Sequence, residues 1–175
     1  MILGLDLSLV GTGCIVLDKD GIVLSQLITS KPSGKDILKE LKRLLGITKD
    51  IEKIIQKYKI KMVCIEGISY MSRNTGALTQ LSGLNYFVRQ LLYNNGIEFK
   101  IIPPTVLKKY ITGKGNSAKE LMLLETYKRF GVSFSDNNLC DAYGLAKIAY
   151  SCVYDDKKLT AFQIEIIKKI KTNYE

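Results

Sequence analysis

The feature that most constrains this chain is one acid at the end of an apolar strand. Residues 1–13 read MILGLDLSLVGTG. Ile2, Leu3 and Leu5 are β-formers that drive the segment toward the middle of a protein, yet the run ends on Asp6. A carboxylate there is costly unless it is paired, hydrogen-bonded or bound to a cation. The small residues that follow, Ser8, Gly11, Thr12 and Gly13, are turn-prone. Whether Asp6 does chemistry depends on whether other carboxylates reach the same place.

Composition narrows the chemistry before any second acid is found. The 175 residues include no histidine, which removes the Ser-His-Asp and Cys-His routes and the usual general base. The four cysteines, Cys14, Cys64, Cys140 and Cys152, form no CxxC pair, so neither a zinc site nor a disulfide framework is expected. Hydrolytic chemistry must then rest on carboxylates, lysines or a hard metal ion. The net charge of +9 points to a polyanionic partner, with plain solubility as the alternative. No apolar run is long enough to span a bilayer and no signal peptide is evident, so a cytoplasmic protein without membrane contact is expected.

Along the chain, residues 2–5, 14–17 and 22–28 read as strands. Asp18-Lys-Asp-Gly21 is a tight-turn signal, so the chain opens as an antiparallel meander. Helical spacing runs from 35 to 58, with Gly46 as a candidate interruption. Residues 61–66 form a short buried strand ending in Glu66. A polar loop and a helix over 77–94 follow, and then a strand over 98–102 that Pro103-Pro104 ends. A short helix over 105–111 leads into a basic loop, Thr112-Gly-Lys-Gly-Asn116. Ser117 with Glu120 three residues on reads as a capping box. Helices over 139–150 and 159–171 complete the chain. The order implies an α/β fold: a mixed five-stranded sheet, antiparallel meander then parallel strands, flanked by helices.

Asp6 and Glu66 each close an apolar strand. If those strands are parallel neighbours, the acids face each other at about 5 Å, the usual strand spacing, and a divalent cation such as Mg²⁺ relieves their repulsion. Asp141 begins a helix, with Asn138 three positions earlier on the same face and Asp136 as another oxygen donor nearby. Taken singly, Asp6 could cap the turn at Gly11, Glu66 could pair with Arg73, and Asp141 or Asn138 could be helix-start residues. The joint pattern is what points to a site.

These residues carry a resemblance. Gly4-Leu-Asp6-Leu-Ser8-Leu-Val-Gly11-Thr12-Gly13, Val63-Cys-Ile-Glu66, the basic segment with Lys108, Lys114 and Lys119, and Asp141-Ala-Tyr-Gly-Leu-Ala resemble, in order, the motifs of the RuvC family of Holliday-junction resolvases, within the RNase H-like superfamily. The pattern is shared by phage and prophage relatives. The resemblance covers roughly residues 1–150; it implies a nuclease domain over 1–154 and leaves 155–175 as a helical tail. It implies a crossover junction endodeoxyribonuclease that nicks four-way DNA junctions in symmetric pairs, leaving 5′-phosphate and 3′-hydroxyl ends. Asp6, Glu66 and Asp141 would hold two Mg²⁺ ions about 4 Å apart, with Mn²⁺ as a substitute. Asn138 stands where the family often has a fourth carboxylate, so either it or Asp136 completes the set. Lys119 is the expected catalytic lysine. Tyr70, Arg73, Asn74, Lys108, Lys109 and Lys114 are the expected DNA contacts. Symmetric nicking implies a homodimer. A nuclease of flaps, forks or other branched DNA, and a catalytically weakened junction-binding module, are the alternatives. The Asp-x-x-x-x-Gly-Thr-Gly pattern also occurs in actin-like kinases, but no second copy is present, so no nucleotide cofactor is expected.

Overall fold

The computed structural model describes residues 1–32, 34, 36–68, 75–154, 156 and 158–172. Its elements are β1 (Ile2–Asp6), β2 (Gly11–Leu17), β3 (Ile22–Thr29), α1 (Ile37–Tyr58), β4 (Met62–Glu66), α2 (Thr75–Asn94), β5 (Glu98–Ile102), α3 (Pro104–Thr112), α4 (Lys119–Phe130), α5 (Asn137–Val153) and α6 (Ala161–Thr172). The strands form one mixed sheet in the order β3-β2-β1-β4-β5. β1–β2 and β2–β3 are antiparallel, and β1–β4 and β4–β5 are parallel. β1 is therefore the central strand, and all five of its residues are buried.

Alternation along β1 and β4 sorts their side chains onto two faces. Leu3, Leu5, Val63 and Ile65 pack with the apolar stripe of α1 and with Leu84, Val88 and Leu92 of α2. Ile2, Met62 and Cys64 pack on the other face, beneath α3, α5 and α6. On that second face glycines let α5 lie almost flush on the sheet. A Cβ built on Gly4 would stand 2.0 Å from the Ala142 carbonyl oxygen, and one on Gly13 would stand 2.2 Å from that of Asn138. Gly11–Gly13, turn-prone in the sequence, are thus the first residues of β2, with Gly13 paired to Asp6. Their smallness serves the close approach of a helix.

Local signals locate most boundaries. The Asp36 side chain caps α1 by accepting from the Leu38 and Lys39 amides at 2.9 and 3.1 Å. Gly46 lies inside α1 without interrupting it. Ser117 is not the cap of α4: the helix begins one residue later with Ala118 at its N-cap and no side-chain cap bond. The Ser117 hydroxyl instead donates to the Lys114 carbonyl (2.9 Å) and meets Thr112 Oγ1 at 2.7 Å. That tightens the 112–117 loop rather than opening the next helix. α6 buries Ile166, Ile167 and Ile170 in the same cluster as Leu107 and Tyr110 of α3, and its Gln163 amide donates to the Tyr110 carbonyl at 3.0 Å.

Candidate active site

The parallel register places Leu5 beside Ile65, so the next rung brings Asp6 beside Glu66 at the C-terminal end of the sheet. Sites form there in sheets with crossover connections, because the strand ends open between helices. Asp141 reaches the same cavity from the first turns of α5, carried by the flush packing over Gly4 and Gly13. The result is a cavity of about 390 Å³ lined by Asp6, Ser8, Glu66, Asn85, Lys108, Lys119, Asn138 and Asp141 together with apolar neighbours.

The electrostatics are those of like charges held out of water. Burial raises the Asp6 carboxyl well above the usual range, and the neighbouring Glu66 and Asp141 raise it further. Glu66 is pushed up to about 7, by burial first and then by Asp141. Asp141 rises to about 6, chiefly by burial, against the pull of Lys119 and Lys108. Contact between the two carboxyls raises Asp6 and lowers Glu66. Each acid therefore lacks a full counter-charge, which is the state a multivalent cation relieves. The groups able to ligate a cation, the Asp6, Glu66 and Asp141 carboxylates and the Asn138 amide, all offer oxygens, the set hard divalent ions prefer. Among the described residues no three Cys, Asp or Glu side chains form a ready-made metal cage, so the acids share a cavity rather than converging on one point.

The remaining sequence-predicted residues divide. Lys108 and Lys119 line the cavity with the acids. Asn138 does too, and its Nδ2 donates to the Gly11 carbonyl at 2.7 Å, leaving Oδ1 as its remaining acceptor. Asp136 Oδ1 is engaged as the N-cap of α5, accepting from the Asn138 and Leu139 amides at 2.8 and 3.2 Å. Lys109 faces away, into a groove between α3 and α6 that it shares with Glu165 and Lys169. Lys114 is exposed in the loop after α3. Tyr70, Arg73 and Asn74 lie outside the described residues.

Sequence reasoning missed Asn85. It sits on α2 and is 1% exposed. Its signal was available: residues 81, 84, 85, 88 and 92 share one helical face, and Asn85 is the polar member among Leu81, Leu84, Val88 and Leu92.

A family model described as "Crossover junction endodeoxyribonuclease RuvC" matches residues 2–131. The chain belongs to the RuvC family. The matched span holds Asp6, Glu66, Asn85, Lys108 and Lys119, and ends before Asn138 and Asp141. The crossover junction endodeoxyribonuclease RuvC of Rickettsia massiliae is 27% identical over 155 residues, covering 87% of this chain and 96% of the relative. Several solved structures share the fold, these two among them. Thermus thermophilus RuvC in complex with Holliday junction substrate aligns with a TM-score of 0.68 at 17% identity, over 83% of this chain and 89% of that one. The yeast mitochondrial Holliday junction resolvase Ydc2 aligns with a TM-score of 0.62 at 10% identity, over 98% of this chain and 80% of that one. The RuvC family is generally Mg²⁺-dependent. No helix among the described residues is long and apolar enough to cross a membrane.

Proposed function

We propose that this chain performs the RuvC-family reaction, hydrolysis of phosphodiesters in a four-way DNA junction, in the cavity between the ends of β1 and β4 and the start of α5. One observation carries the reading. Asp6, Glu66 and Asp141, from three distant segments, line a single cavity with Lys108 and Lys119. Asp6, Glu66 and Asp141 would hold Mg²⁺, with Asn138 as the neutral fourth donor; Asp136 is less suited because its carboxylate caps α5. Bound there, the ion would supply a Lewis acid and a water acidic enough to attack without a histidine base.

The protein's own groups do the rest. Lys108 and Lys119 oppose the upward push on Glu66 and Asp141, which favours the ionised, ligating forms. From its place in the cavity, Lys119 would also stabilise the charge that builds on the phosphoryl group. Lys109 and Lys114, with Tyr70, Arg73 and Asn74, are assigned to the DNA arms, where backbone contacts make affinity fall with salt. A homodimer presents two such cavities to the two-fold symmetric junction and accounts for paired nicks. The chemistry is assigned to residues 1–154, and residues 155–175 to a helical tail that contributes α6.

The test is cleavage of an end-labelled mobile four-way junction and a flap of equal length, with Mg²⁺ or with EDTA, by wild type and Glu66→Gln. Paired, ligatable nicks in the junction arms are expected from the wild type with Mg²⁺ alone. Cleavage that persists in EDTA or in Glu66→Gln removes the proposal, and faster cutting of the flap redirects it to another branched substrate.

A further inference from the structure

Among the described residues, buried polar side chains are almost all satisfied. Thr12 Oγ1 donates to the Ser8 carbonyl, Thr126 meets Cys140 Sγ, Ser151 meets Tyr110, and Gln163 bonds both Thr160 and Tyr110. Asn85 departs from this. Its Oδ1 is buried and has no hydrogen-bond partner among the described residues. The other such atom, Arg89 Nε, lies one turn further along α2, on a guanidinium that sits 5.1 Å from the Tyr86 ring. Only Asn85 lines the cavity that holds Asp6, Glu66 and Asp141. An unpaired buried amide oxygen costs about 1–3 kcal/mol, against a gain for an apolar group of the same shape. The position is otherwise an apolar one, between Leu84 and Val88.

The chemistry of the missing donor can be narrowed. An amide oxygen accepts and cannot donate. A phosphodiester offers only acceptors, as do ionised carboxylates, so neither substrate phosphate nor Asp6, Glu66 or Asp141 in their ligating forms can satisfy it; Ser8, Lys108 and Lys119 line the same cavity as donors and leave it unpaired. Mg²⁺, by contrast, usually keeps several of its waters, each carrying protons that need acceptors. We infer that Asn85 is a positioning residue for the hydrated cation: its Oδ1 accepts a hydrogen bond from a water that the ion retains, from the α2 side of the cavity. This rests on the metal-dependent reading above. Asn85 would then hold the ion through water, while Asp6, Glu66 and Asp141 would hold it directly. Groups that orient metal ligands in this way commonly change metal affinity by about 10–100-fold when removed.

The experiment measures thermal stability of the full chain without DNA, first in EDTA and then across a Mg²⁺ titration, for wild type, Asn85→Leu, Asn85→Asp and Asp6→Asn. Asn85→Leu removes an unsatisfied oxygen from an apolar site. It is expected to melt at or above the wild-type temperature in EDTA and to need at least about tenfold more Mg²⁺ for half of the metal-induced rise. Asn85→Asp keeps an oxygen and is expected to hold the midpoint at or below the wild-type value. A clear fall in the EDTA melting temperature of Asn85→Leu would mean that Oδ1 is already bonded in the folded protein, and would overturn the inference. So would an unchanged midpoint in Asn85→Leu while Asp6→Asn abolishes the response. If wild type shows no Mg²⁺ response, or Asp6→Asn keeps it, the metal reading itself fails. Should the Leu variant not fold, Asn85→Ala replaces it, with the midpoint as the deciding readout.

Discussion

The two ends of β1 open onto cavities of opposite character. At its N-terminal end, the β2–β3 turn, the end of α4 and the middle of α5 enclose about 720 Å³, lined by Leu17, Phe130, Tyr143, Lys147, Tyr150 and Asp156 among others. There Lys147 and Asp156 answer each other. Lys147 Nζ lies 3.2 Å from Asp156 Oδ2 and 5.0–5.5 Å from the Tyr150 and Phe130 rings. At the C-terminal end, the smaller cavity holds Asp6, Glu66 and Asp141, each raised in proton affinity chiefly by burial, beside an amide oxygen with no described partner. The larger space holds its buried lysine and aspartate as a pair. The smaller one keeps local costs, and such costs concentrate at functional sites.

The comparison breaks if charge removal acts alike at both ends. The largest expected effect is at the smaller cavity. Asp6→Asn should lower the junction cleavage rate by about a thousandfold or more, since losing metal-held charge stabilisation forfeits several kcal/mol, while raising melting temperature in EDTA. Next come the glycines that seat α5. Gly13→Ala should destabilise the protein by about 1–3 kcal/mol or more, because the added methyl meets backbone rather than a movable side chain; urea denaturation measures it. At the larger cavity the sign reverses. Lys147→Met should cost roughly 1–3 kcal/mol of stability, between the ranges for exposed and fully buried pairs, with cleavage by the folded fraction unchanged.

A smaller effect separates the two ends by pH. Glu66 and Asp141 hold protons up to about 7 and about 6 in the folded chain, above their ordinary values. Between the two sets of values the folded state binds more protons than the unfolded one, so this cluster's contribution to stability falls as pH rises. Melting temperatures in EDTA should therefore drop from pH 5 to pH 7.5 more steeply in wild type than in Asp6→Asn. The smallest effect concerns DNA. Lys109→Gln should reduce the slope of log affinity against log salt by about 0.9, one phosphate contact, without changing the cleavage rate at saturation.

The sheet and the acid trio were legible because both rest on local sequence. Apolar runs ending in Asp6 and Glu66 report strand and burial at once, and the Asp18–Gly21 turn and the length of the β1–β4 connection leave few ways to join the strands. Gly11 and Gly13 were read as turn residues because smallness has the same local signature in a turn and beneath a helix; only α5, more than a hundred residues away, decides between them. Ser117 failed as a cap for a related reason. Its hydroxyl chose partners at Thr112 and Lys114 over the helix that follows. Asn85 was passed over because helical spacing marks a face as buried without saying where that face ends, and this residue stands where the apolar layer gives way to the cavity.

The flush seat of α5 on Gly4 and Gly13 has a consequence for how such a site can change. Asp6 is on the strand, Asp141 is on the helix, and almost no slack lies between them. Adaptation to a different ion or a different branched substrate would then have to come from α2 and from the loops around the cavity, while the strand–helix contact stays as invariant as a bearing.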